Sequence, residues 1–134
     1  MGTLIDSSVL IALERGRLDA DEVFAAPERR DRAVAIAAIT ASELLHGLHH
    51  LGGVRRVRAQ AWVSAWLDAL PVIAFGPEVA RIHATIAAQL GEEGAAAGPH
   101  DLMIAATAVH LGYRVATRDR RTFARIDGLP VEYL

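Results

Sequence analysis

The stretch from Pro99 to Asp119 limits the fold more than any other part of the chain. Pro99 suits the first position of a helix, and Gly112 suits the left-handed residue that follows its last turn. Tyr113-Arg114-Val115-Ala116-Thr117 then reads as a buried strand. A helix that runs antiparallel to the strand after it brings its own beginning level with that strand's end. Asp101, in the first turn, and Asp119, just past the strand, are therefore expected at one edge. That is the edge where open α/β sheets place ligands.

Other apolar segments end in acids in the same way. Thr3-Leu4-Ile5 reads as a short strand closed by Asp6-Ser7-Ser8, after which Val9, Leu10, Ile11 and Leu13 begin a helix that fades at Arg15-Gly16. Asp6 thus sits at a strand's C-terminal end, where it also has the look of an N-cap. Glu14 to Arg32 is polar, with a short helix expected around Asp21 to Ala26 and a loop at Pro27, and carries no evident chemistry. Ala33 to Ile39 is a continuous apolar run, which suggests a central strand buried on both faces.

Thr40-Ala41-Ser42-Glu43 then opens a helix and matches a capping box, Thr at the N-cap and Glu three residues on. Glu43 has two readings, a cap partner or a carboxylate that points across the strand ends toward Asp6 and Asp101. With His46 it also spells Glu-x-x-His, but the di-iron site built on that pattern needs a second such pair and two further Glu residues. No second pair exists. His46, His49 and His50 read as surface or packing histidines on a helix that ends at Gly52-Gly53.

Arg55, Arg56 and Arg58 lead a helix whose Trp62 and Trp66 share one face. A core or dimer seam is the more common meaning of such a stripe, and a base-stacking platform the less common one. Leu70 to Phe75 reads as a third strand, and Gly76-Pro77-Glu78 as another strand-to-helix corner. Glu78 fits a first-turn helix acid and, after a lateral strand, is expected to lie too far away to join the other acids. An amphipathic helix follows from Val79 to Leu90, then a flexible loop from Gly91 to Gly98. Beyond Asp119 the chain suggests a short helix from Arg120 to Ile126, a turn at Asp127-Gly128 and a final strand over Val131-Glu132-Tyr133.

Composition removes several chemistries. At 134 residues the chain suits one domain, residues 1–134, large enough to hold a core without a staple. It has no cysteine, which rules out thiol catalysis, zinc-thiolate sites and disulfides and fits a reducing compartment. All 14 basic residues are Arg, so neither a P-loop Lys nor a Schiff base is available. The N-terminus lacks a basic leader, and the longest apolar run is too short to span a bilayer. A soluble cytoplasmic protein with no membrane contact is expected. A net charge of −2 argues against holding nucleic acid by overall charge, although it permits a local basic patch.

Each acid taken singly has a structural explanation. Together, Asp6, Glu43, Asp101 and Asp119 all fall where a buried strand ends or a helix begins, on the ligand edge. Four carboxylates without Cys or a convincing His partner make a hard-oxygen site suited to Mg²⁺ or Mn²⁺. Metals held in this way can activate water and stabilise the attacking and leaving oxygens of a phosphodiester displacement.

Leu4-Ile5-Asp6-Ser7-Ser8, Thr40-Ala41-Ser42-Glu43-Leu44 with Gly47, His100-Asp101-Leu102-Met103-Ile104-Ala105-Ala106, and Thr117-Arg118-Asp119 with Phe123 and Gly128-Leu129-Pro130 occur in one order. The ordered set resembles a PIN domain, and within that superfamily a VapC toxin of a type II toxin–antitoxin pair. The resemblance covers essentially the whole chain. It implies a Rossmann-like three-layer α/β/α sandwich around a mainly parallel sheet, a Mg²⁺- or Mn²⁺-dependent endoribonuclease acting on RNA, a homodimer, and a VapB-type antitoxin that blocks the site. The family's acids correspond to Asp6, Glu43, Asp101 and Asp119, as catalytic and metal-binding residues. Its small hydroxyls correspond to Ser8 and Thr117. Many relatives carry Asn in place of Asp119. Arg118 stands beside the site with Arg120, Arg121 and Arg125, as candidates for holding phosphates.

Rivals belong to other classes. A receiver domain or a haloacid-dehalogenase-type phosphatase also places Asp at strand ends, but both call for a Lys that this chain lacks. A non-catalytic binding module of the same fold, whose acidic pocket only receives a partner's Arg, is the stronger rival. Metal-dependent cleavage of purified RNA separates it from the nuclease.

Overall fold

Thr3–Ile5 (β1) lies in the middle of a five-stranded parallel sheet because both of its faces are apolar and both are covered. Leu4 faces one core cluster and Ile5 the other, and the alternation continues in the strand beside it, Val34–Ala37 (β2), where Ala35 and Ala37 face one side and Ile36 the opposite side. The structure is a computed structural model that describes residues 1–27, 30–92 and 97–134. Ser7–Glu14 (α1), Ala38–Leu48 (α2) and Gly53–Ala69 (α3) follow the first two strands, and Val72–Ile73 (β3) pairs with β2. Pro77–Leu90 (α4) and Pro99–Leu111 (α5) lead to Arg114–Thr117 (β4), and Val131–Tyr133 (β5) completes the sheet.

The strand order is β3-β2-β1-β4-β5. The chain steps outward from β1 to β2 and β3, then returns and steps outward on the other side through β4 and β5. The direction therefore reverses between β1 and β4, which are paired from Thr3↔Arg114 to Ile5↔Ala116. A crevice at the carboxyl ends of these two strands is the expected ligand position of such a sheet. One face of the sheet is packed by α4 and α5, through Val79, Ile86, Leu102 and Ile104. The opposite face is packed by α1, α2 and α3, through Val9, Leu10, Leu44, Leu48 and Val63. This is the three-layer α/β/α arrangement expected from the sequence.

Several expectations need correction. Ala33 to Ile39 is not all strand, because pairing stops at Ala37 and α2 begins at Ala38. A continuous apolar run cannot tell a buried strand from the buried first turn of a helix. Thr40 consequently lies inside α2, not at its N-cap; the cap position is Ala37, with no side-chain cap bond, and the capping box does not form. Leu70 to Phe75 pairs only at Val72–Ile73. As the core reading of their stripe has it, Trp62 and Trp66 pack against the core beneath α3, half-buried, with the Trp66 ring 5.1 Å from that of Phe24. The short helix expected around Asp21 to Ala26 does form, as a wide helical turn over Asp21–Ala25. Part of the loop expected between Gly91 and Gly98 lies outside the described residues.

The helix–glycine–strand unit is as expected. Pro99 occupies the first turn of α5, and Gly112 closes the helix with φ 67° and ψ 33°. A residue with a Cβ meets a steric penalty there, so the glycine is what lets β4 turn back antiparallel to α5.

Candidate functional site

Asp6 follows β1 directly, and its N–H extends the sheet ladder by donating to the carbonyl of Ala116 at 2.9 Å. It occupies the N-cap position of α1, but its carboxylate caps nothing. Oδ2 instead accepts two hydroxyl protons, from Ser8 at 2.6 Å and from Thr117 at 2.8 Å. Each hydroxyl in turn accepts a backbone N–H from the segment after β4: Ser8 Oγ from Arg118 at 3.0 Å, and Thr117 Oγ1 from Asp119 at 3.0 Å. Both hydroxyl protons point at Asp6, so the 3.3 Å approach of Ser8 to Thr117 is a contact between acceptor oxygens. The network joins the ends of β1 and β4 and fixes one edge of a carboxylate that is only 4 % exposed.

Glu43 reaches the same crevice from α2. Ser7 Oγ donates to its Oε2 at 3.4 Å, and His100 Nδ1 stands 4.0 Å from the same oxygen. Its Oε1 is buried and has no hydrogen-bond partner among the described residues. Burial pushes the Glu43 carboxyl above its ordinary pKa, and the negative charge of Asp6, with a smaller contribution from Asp101, pushes in the same direction; His100 and Ser7 oppose. Thr40, one turn earlier on α2, is fully buried, and its hydroxyl also lacks a partner among the described residues.

Asp101 enters from the first turn of α5, just beyond Gly98, whose φ of 84° is open to glycine. Its carboxyl too is raised, first by burial and then by the charges of Asp6 and Asp119, against the opposing influence of Thr122 and His100. Asp6, Glu43 and Asp101 therefore share one electrostatic environment. Asp119 belongs to its margin: its Oδ1 accepts the N–H of Arg121 at 2.8 Å and lies 3.6 Å from the same residue's Nε. Arg118 contributes its backbone N–H to the hydroxyl network, while its side chain is exposed.

Glu78 lies outside the cluster, as expected, and faces His110 across α4 and α5 at 3.6 Å. His46, His49 and His50 are exposed at the end of α2. In this conformation no three His, Asp or Glu side chains among the described residues stand close enough to hold one ion. Sequence reasoning assigned no role to Ser7, His100 or Thr122. Position relative to an acid is the signal that would have found them: Ser7 follows Asp6, His100 precedes Asp101, and Thr122 lies one turn beyond Asp119.

The sequence matches the PIN domain family over residues 3–129. It is 32 % identical over 132 residues to Ribonuclease VapC1 of Rickettsia felis, covering 98 % of this chain and 95 % of that protein. It is also 32 % identical over 99 residues to the tRNA(fMet)-specific endonuclease VapC of Salmonella typhimurium, 74 % of each chain. Among solved structures, a DNA-bound VapBC complex from Salmonella typhimurium superposes with a TM-score of 0.83 at 28 % identity, covering 98 % of this chain and 97 % of that one.

Proposed function

The chain belongs to the PIN-domain family and, within it, to the VapC ribonucleases, and from that premise we propose that it is a metal-dependent endoribonuclease, the toxin of a type II toxin–antitoxin pair. The observation that carries the chemistry is the convergence of Asp6, Glu43 and Asp101 at the reversal point of the sheet, with two of the three carboxyls raised by burial and by one another's charge. Crowded, half-buried carboxylates oppose folding unless something offsets their charge. A divalent cation does so, and the donor set is all hard oxygen, which suits Mg²⁺ or Mn²⁺. The Oε1 of Glu43, buried and without a hydrogen-bond partner among the described residues, is the clearest open donor.

In this reading Asp6, Glu43 and Asp101 hold the ion, and Asp119 assists from the margin. The bound ion supplies an activated water and charge stabilisation for the attacking and leaving oxygens of the RNA phosphodiester. Ser8 and Thr117 orient Asp6, so that one oxygen is fixed before any ligand arrives. Ser7 and His100 flank Glu43 on its Oε2 side. Asp119, through its contacts with Arg121, sets the course of the chain beyond β4.

The partners that accompany this reading are a VapB-type antitoxin and a second copy of the chain, in the cytoplasm. No helix among the described residues is long and apolar enough to cross a membrane. A second reading, an acidic pocket that only receives a partner's Arg, draws on the fact that no three acids stand at ligating distance in this conformation. Cleavage of purified RNA by the purified protein, with Mg²⁺ or Mn²⁺ and with EDTA, separates the two. Asp6→Asn, Glu43→Gln and Asp101→Asn should each lower the metal-dependent rate by about 10²–10³-fold, and Asp119→Asn by less. Near-normal cleavage by Asp101→Asn, in preparations free of contaminating nuclease, refutes the assignment.

A further inference from the structure

Four arginines follow β4 within eight residues, and their surroundings differ. The Arg120 guanidinium lies 4.7 Å above the Tyr133 ring, held against the last strand by a cation–π contact. Arg121 and Arg125 instead line a cleft of about 370 Å³ together with Gly98, Asp101, Asp119 and Thr122. They are four residues apart, Arg121 just before the tight turn Phe123–Arg125 and Arg125 at its end. Phe123 is fully buried, and the Thr122 hydroxyl donates to the carbonyl of Ala97 at 3.3 Å, so the turn is anchored to the chain that enters α5. A fixed turn thus carries two cations beside two of the acids.

We infer that Arg121 and Arg125 each hold a backbone phosphate of the RNA strand beside the acid cluster, and that Arg120 does not. The inference rests on the ribonuclease reading. An RNA strand is repelled by an acidic site, and the phosphate next to the scissile one needs its own counter-charge. Arg121 is suited to supply it. Its side chain is 88 % exposed, and its Nε stands 3.6 Å from one oxygen of Asp119, a surface pair that exchanges for a phosphate at little cost. The Asp119 carboxylate keeps its backbone bond to Arg121 when the side chain leaves, so the loop is preserved. Arg125 is exposed on the same cleft. A guanidinium fork matches phosphate oxygens better than an ammonium would. Such contacts position the strand without reading its bases.

The test separates binding from cleavage. Binding of a fluorescent single-stranded RNA is measured by anisotropy over a range of salt concentrations, in the full-length Asp101→Asn background. Arg121→Ala and Arg125→Ala should each weaken binding about five- to tenfold and reduce the slope of log K against log salt by about 0.7, the loss of one phosphate contact on a single strand. Arg120→Ala should leave the slope unchanged, and Arg125→Lys should keep it. In the otherwise wild-type protein, Arg121→Ala and Arg125→Ala should raise KM with kcat within about twofold. Unchanged slopes for both alanine variants, or an equal loss in Arg120→Ala, overturn the assignment even if the protein cleaves RNA. Arginine-dependent binding without any cleavage by the wild type overturns the nuclease reading alone, and no binding at all overturns both.

Discussion

Replacing Asp101 by Asn should stabilise the protein without metal and destabilise it, relative to wild type, with metal. Asp101 is half-buried, and its carboxyl is raised by burial, by Asp6 and by Asp119. A carboxylate whose folded pKa lies above its unfolded value binds more protons in the native state across the interval between the two values. Stability therefore falls as pH rises through that interval, and the full penalty is present above the folded pKa. Repulsion from each neighbouring carboxylate is of the order of a partly exposed ion pair, about 0.2–1 kcal/mol, and desolvation adds to it. Against this, a neutral side chain in the first turn of α5 loses a helix-dipole contact of about 0.3–1 kcal/mol. The amide keeps a carbonyl that Thr122 can still approach. The balance favours the variant by up to about 1 kcal/mol, or an increase of up to about 4 °C in Tm for a chain of this size. The advantage should shrink as pH falls through the folded pKa of Asp101 and vanish below its unfolded value. Metal reverses the order: an ion bound only by the native state at a hundredfold excess over Kd adds about 2.7 kcal/mol, most of which Asp101→Asn forfeits. The assay is thermal unfolding of both proteins at neutral pH, in EDTA and in millimolar Mn²⁺. A variant that melts below wild type in EDTA, with equal responses of both proteins to Mn²⁺, refutes the reasoning and makes Asp101 a structural helix acid.

Thr117→Val removes one of the two hydroxyls on Asp6 and leaves the part-buried N–H of Asp119 without its acceptor; it should lower stability by about 1–2 kcal/mol and cut cleavage at least tenfold, measured by melting and by RNA hydrolysis. Glu78→Gln should leave cleavage at the wild-type rate, since Glu78 pairs with His110 in the last turn of α5, at the opposite end of that helix from Asp101; a tenfold loss would place Glu78 in the site after all. Sedimentation equilibrium at tens of micromolar should give twice the mass of one chain, as expected for a symmetric pair, and a monomer would count against the proposed homodimer.

The parts of the site legible in sequence are those that local geometry dictates. Asp101, Gly112 and Asp119 lie in one helix–turn–strand unit, and proline, a left-handed glycine and an apolar strand suffice to bring its two acids to one edge. The ends of β1 and β4 were likewise recognisable, because Asp-Ser-Ser and Thr-Arg-Asp punctuate apolar runs. Other features depend on residues that are neighbours only in space. Whether Asp6 is a cap or a member of a cluster turns on Thr117, which is 111 positions away and meets it only because β1 pairs with β4. The capping box at Thr40 reads correctly as a pattern and fails because the sheet releases the chain at Ala37, two residues before the apolar run ends. That the indoles of α3 meet the core depends on Phe24, distant in sequence, whose ring packs on Trp66. Periodicity and turn chemistry are local and determine which segments become helix or strand. Strand order and helix docking are decided by which apolar faces cover one another, and that choice set Asp6, Glu43 and Asp101 around one crevice, left Glu78 outside it, and separated Arg121 and Arg125 from Arg120.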